Sequence, residues 1–146
     1  MMKICILIFA VIAAACDLKT RRIPNALMIY MFGIWVLLVA VFLFANTENT
    51  VIMLTDSVFG LLFGGGLFIA VYFISRQGLG GGDVKFMAIA GLYLGLGSTI
   101  SSILYGTVLA AATGIVLILL KKITRKDKMP LAPFLLAGIV ITILLT

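Results

Sequence analysis

From Phe86 to Leu120 the chain runs 35 residues without a charged side chain. One membrane crossing uses about 20 residues, so this run is too long for a single helix across a bilayer. Gly95-Leu96-Gly97-Ser98-Thr99 supplies the turn that divides it in two. The rest of the sequence agrees with a membrane setting. It is 64% hydrophobic and 11% charged, where a soluble domain carries roughly 25% charged residues. Turn residues and charges cut the apolar stretches into six helices, near residues 3–18, 24–45, 51–75, 84–97, 99–120 and 130–146. The expected fold is an all-α polytopic membrane protein, one domain over residues 1–146, with about six transmembrane helices.

The N-terminus admits another reading. Met1-Met2-Lys3 followed by ICILIFAVIAAAC resembles a secretory signal, and AAAC at 13–16 resembles a lipoprotein cleavage site. A retained first helix is preferred, because Asp17, Lys19, Arg21 and Arg22 follow it as a cytoplasmic stop. Cys5 and Cys16 form no CxxC pair and are read as helix-packing residues.

Loop cations set the orientation, since Lys and Arg are retained on the cytoplasmic side. The first loop carries Lys19, Arg21 and Arg22, the third Arg76 and Lys85, and the fifth Lys121, Lys122, Arg125, Lys126 and Lys128. NTENT at 46–50 carries Glu48 and no cation, and the turn near Gly95 carries no charge. This alternation predicts that both termini face outward, with Lys3 a minor exception. It also accounts for the net charge of +6 without nucleic acid as a partner.

The same topology sorts the acids. Asp17, ending the first helix, and Asp83, starting the fourth, arrive at one membrane face, the inner one; Glu48 and Asp56 fall near the other. Asp127 sits among lysines as a solvated charge. Acids at the edge of the hydrocarbon are costly and usually face a protein interior or a wet cavity. Bland roles are open to both: Asp17 could pair with the nearby cations, and Asp83 could cap a helix. The glycines at 78, 80, 81 and 82 favour more than a cap at Asp83, because they clear side chains from its approach.

Two carboxylates brought close together do not both ionise comfortably, so one keeps a proton while the other accepts one. Such a pair activates water against a peptide bond with no metal or nucleotide cofactor. The chain contains no histidine, which removes Ser-His and Cys-His systems and the usual zinc-protease motifs. A different reading of the same acids is a small proton- or cation-coupled transporter using Asp17 and Asp83. Carriers, however, place such acids near the bilayer midplane, often in repeated halves, and no internal repeat is visible. A non-catalytic scaffold would need neither the paired acids nor the cleared loop.

Three segments carry a family resemblance. GGGDVK at 80–85 resembles the GxGD motif of membrane-embedded aspartyl proteases. Asp17 followed by KTRRIPN at 19–25 resembles the first-aspartate motif of type IV prepilin peptidases, and MPLAPFLLAG at 129–138 is similar to the proline-rich start of that family's last helix. The resemblance implies an endopeptidase of the inner membrane that removes the basic leader of prepilin-like proteins at the cytoplasmic face, in a type IV pilus system. Carried over, Asp17 and Asp83 become the catalytic pair, and Gly80 and Gly82 the glycines that open the site. Lys85 matches the motif's lysine, with substrate contact or snorkelling to lipid headgroups as its possible roles. Longer bacterial members carry an N-terminal cysteine-containing insert associated with N-methylation. Neither the insert nor its cysteine pairs occur here, which argues against methyltransferase activity and resembles the compact peptidases of Flp/Tad-type pili or the archaeal preflagellin peptidases, the IPN and GGGDVK wording favouring the former.

The remaining signals read as packing or anchoring. Gly60-x-x-x-Gly64, continuing into Gly65 and Gly66, and Gly91-x-x-x-Gly95 are small-residue faces that let helices approach closely within the chain. Pro24 and Asn25 begin the second helix. Trp35 is a lipid-facing or core residue, and Arg76 is a cytoplasmic anchor.

Overall fold

The computed structural model describes residues 2–20, 23–45, 47–75, 80–121 and 131–145, and its regular elements are all α-helices. Helix α1 covers Met2–Thr20, α2 Asn25–Ala45, α3 Thr47–Ile74, α4 Gly81–Leu119 and α5 Ala132–Leu145. Three of these hold apolar spans long enough to cross a bilayer, Asn25–Phe44, Asn49–Ile74 and Gly81–Leu119, and α5 is a shorter apolar helix. Large apolar side chains such as Phe44, Phe73 and Ile74 stand on the outside, as expected of a membrane protein.

The element order differs from the sequence expectation in two places. Residues 47–50 of NTENT are not loop but the first turn of α3. Thr50 is buried there, and its hydroxyl donates to the Phe42 carbonyl at 3.0 Å. Phe42 lies in the last turn of α2, where carbonyls lack intrahelical partners, so the polar residue closes one helix while starting the next. The fourth helix begins at Gly81 rather than 84, with Gly80 at its N-cap. Asp83 therefore lies inside the first turn and is not the cap.

The uncharged run does divide at Gly95. Its φ of 74° and ψ of 175° interrupt α4, leaving an arm of residues 81–94 and an arm of residues 96–119. These dihedrals lie in a region that is essentially restricted to glycine. Gly97, Ser98 and Thr99, expected in the turn, are instead helical. The break reverses the chain. A Cβ placed on Gly64 would lie 2.8 Å from the Met87 carbonyl oxygen and 3.2 Å from Thr99 Cγ2, two residues that a continuous helix would separate by about 18 Å.

A broken helix strands backbone groups, and in lipid each unsatisfied one costs several kcal/mol. Here the separated partners are the Leu92 carbonyl and the Leu96 N–H, four residues apart. Leu96 N–H donates to Asp56 Oδ1 at 3.0 Å, and the Leu92 carbonyl accepts from Trp35 Nε1 at 2.9 Å. Any side chain at Gly95 would collide with the Asp56 carboxylate. Trp35 and Asp56 thus serve the break, beyond the core-or-lipid and opposite-face positions that composition suggests.

Close helix contact comes from small residues, since lipid offers no hydrophobic gain for pairing helices. A Cβ on Gly60 would collide with the Gly91 carbonyl, and one on Gly91 with the Gly60 carbonyl, so α3 and the first arm of α4 touch backbone to backbone. Gly138 of α5 approaches Ser102 and Gly106 of the second arm in the same way. Helix α1 packs on α5, α4 and α2. Its buried residues Ile6, Ala10, Ala13, Ala14 and Asp17 recur at helical spacing. The acid thereby lies on the inward stripe.

Candidate active site

Asp17 closes the buried stripe of α1, while Lys19, two residues on, is exposed. A two-residue step turns about 200° around a helix, so the acid faces in and the lysine out. Asp83 opens a corresponding stripe in α4, followed by Phe86, Met87 and Ala90, all buried. Each carboxylate thus shares the buried stripe of its helix and faces the protein interior, from helices far apart in sequence.

The two acids meet. Asp17, Asp83, Gly80, Gly81, Gly82, Ile23 and Asn25 line one pocket of about 350 Å³, and Asp83 lies within electrostatic reach of Asp17. Asp17 is 6% exposed and Asp83 8%, so neither is a solvated surface charge. Their hydrogen bonding differs. Asp17 Oδ2 accepts from the backbone N–H of Ala132 at 3.2 Å. That N–H belongs to the first turn of α5, where amides have no helical partner of their own. Asp83 is held through the Gly80 backbone, and its Oδ1 is buried with no hydrogen-bond partner among the described residues. A buried carboxylate oxygen left this way costs several kcal/mol unless something binds it.

The expected site-shaping glycines act locally and differently. A Cβ on Gly80 would sit 2.9 Å from Asp83 Oδ2, so that glycine leaves room for the carboxylate itself. A Cβ on Gly82 would press within 3.2 Å of Ile23 Cβ, so that one admits the segment joining α1 to α2. Lys85 does not line the pocket. It stands just outside, where its Nζ donates to Asn25 Oδ1 at 3.2 Å. Arg21, Arg22, Arg76, Gln77, Gly78, Asp127 and the Met129-Pro130 start of the last motif lie outside the described residues.

Two contributions were not read from the sequence. Asn25 appeared only as a helix-start residue, yet it lines the pocket. Its place directly after Ile23-Pro24 in the first-aspartate motif was the available signal. The Ala132 amide has no side-chain signature, and nothing short of the fold could pair it with an acid 115 residues away. Among the described residues no three His, Cys, Asp or Glu side chains converge as a metal-ligand set.

The comparisons with known proteins point the same way as the pocket. The chain is 25% identical over 134 residues to the prepilin leader peptidase/N-methyltransferase of Bacillus subtilis (strain 168). That alignment covers 92% of this chain and 51% of the relative, so the chain spans about half of that protein's length. No solved structure matches. A family profile matches residues 4–119, a range that contains both aspartates and the whole pocket lining, and with most of its length covered the chain belongs to the type IV leader peptidase family.

Proposed function

We propose that this chain is an intramembrane aspartyl endopeptidase that removes the basic leader from prepilin-like precursors at the cytoplasmic face of the inner membrane. The observation that carries the reading is that Asp17 and Asp83, each more than nine-tenths buried, line one glycine-walled pocket. Family membership and the leader-peptidase relative support the choice of substrate.

The chemistry needs one proton on the pair. The charged carboxylate takes a proton from water as the water oxygen attacks the scissile carbonyl carbon. The protonated carboxyl donates to the carbonyl oxygen, giving a tetrahedral diol. Collapse breaks the C–N bond, a proton passes to the leaving amine, and the products are the leader's carboxylate and a new N-terminus. Water and peptide supply every atom, and the aspartates are regenerated.

Membrane placement follows the same reading. Helices α1, α2, α3, the two arms of α4 and α5 make six crossings, with both termini outward. Lys19, Lys85 and Lys121 then all lie at inward helix ends, on the side where positive charge is retained. The substrate's leader, itself basic, would stay on that side, and its hydrophobic helix would lie in the bilayer beside the pocket.

The test is cleavage of a pilin precursor by the purified chain in detergent, with mass spectrometry of the new N-terminus. Asp17→Asn and Asp83→Asn should each stop the reaction while leaving the protein inserted and abundant. Cleavage retained by either variant overturns the assignment.

A further inference from the structure

The Lys85–Asn25 contact joins the two motifs that carry the aspartates, and it fixes more than their spacing. A lysine ammonium only donates, whereas an asparagine amide has one accepting oxygen and one donating NH2. With Lys85 Nζ at 3.2 Å, the oxygen of Asn25 is the end turned toward the lysine. The reverse orientation would set two donors against each other. The side chain's remaining capacity is therefore its two Nδ2 hydrogens, on a residue that lines the pocket with both aspartates. Asp17 and Asp83 supply acceptors and at most one shared proton, so among the described residues the pocket lining holds no other neutral side-chain donor. The other lining residues are Ile23 and three glycines, which bring no polar side chain.

The geometry points to Asn25 as a substrate-binding residue that donates from Nδ2 to a backbone carbonyl of the precursor peptide near the scissile bond, with Lys85 as the positioning residue that fixes its amide. This rests on the peptidase reading. The ammonium is placed behind the amide, outside the pocket lining, where it polarises the donor without forming an ion pair with the catalytic acids. A bare lysine in the pocket would hold both carboxylates charged and remove the proton the reaction needs.

Asn25→Asp separates this role from a purely structural one. The variant is isosteric and keeps an acceptor for Lys85, so a clamp between α2 and α4 survives, but the donor is gone. Because the new carboxylate also favours the protonated forms of the two aspartates, each variant is compared at the optimum of its own pH profile, where kcat/KM on a synthetic prepilin peptide should still fall about tenfold, with thermal stability in detergent unchanged. Lys85→Met, at an exposed position, should lose activity through the same amide. Combined with Asn25→Ala it should add little to the loss of Asn25→Ala alone, and Lys85→Arg should recover most of the Lys85→Met deficit. Wild-type kcat/KM in Asn25→Asp overturns the inference, and so do losses that multiply in the double variant. If Asp17→Asn is inactive in the same assay, that failure belongs to the inference alone; if Asp17→Asn also cleaves, the peptidase reading falls with it.

Discussion

The first arm of α4 begins and ends beside an aspartate, and the two acids are handled in opposite ways. At its start Asp83 is buried, with one carboxylate oxygen unpartnered among the described residues. At its end Asp56, reaching over from α3, is exposed and yet engaged by the Leu96 N–H. The usual association of burial with satisfaction is inverted. Asp56 repairs a backbone break, and its role is complete without any ligand. The buried Asp83 oxygen has no such bond among the described residues, which fits the substrate-directed role proposed for it.

The sharpest way to break this contrast is to neutralise each acid. Asp83→Asn and Asp17→Asn should lower kcat/KM for precursor cleavage by roughly a thousandfold or more, with little change in the melting temperature in detergent. A large stability loss in Asp83→Asn with cleavage intact would place that acid in the structural class with Asp56. Next in size, Gly95→Ala should destabilise the protein by about 3 kcal/mol, because alanine tolerates neither the dihedrals nor the nearness of Asp56. Asp56→Ala should cost about 2 kcal/mol in denaturant unfolding through the orphaned Leu96 amide, while cleavage by the folded fraction continues. Ala132→Pro removes the N–H that Asp17 accepts and sets a ring carbon against that carboxylate at a buried position, in a first turn where proline is tolerated. It should reduce kcat/KM about tenfold with α5 retained by circular dichroism. Smallest, Trp35→Phe should cost about 1 kcal/mol in the same unfolding measurement by releasing the Leu92 carbonyl, and should not slow cleavage.

Part of the fold behind this contrast is legible in the sequence. Ile6, Ala10, Ala13 and Asp17 follow one helical stripe, and so do Asp83, Met87 and Ala90. Which stripe faces inward is not readable from the period alone, because exposed Ile4, Ile8 and Val11 are as apolar as buried Ile6 and Ala10. The division of the long apolar run at Gly95 was legible from length against bilayer thickness. What stayed hidden was the fate of individual backbone groups. Asp56 reads as an ordinary acid at the opposite face, and Trp35 as an ordinary membrane aromatic. Their partners exist only because one particular helical bond is broken. The NTENT segment misled for a related reason. Polar residues mark the end of an apolar run equally well as a loop or as the first turn of the next helix, and Thr50 decides between them by reaching back to Phe42.

The glycine break at 95 carries a consequence for solvent supply. Residues 81–94 make about 21 Å of helix, while the hydrocarbon layer is about 30 Å thick. A segment that short is accommodated by local thinning of the bilayer or by headgroups dipping toward its end. On the topology proposed above, thinning at the Asp83 end would shorten the path from bulk water to the pocket that Asp83 shares with Asp17, so hydrophobic mismatch would help to bring the proposed peptidase its water.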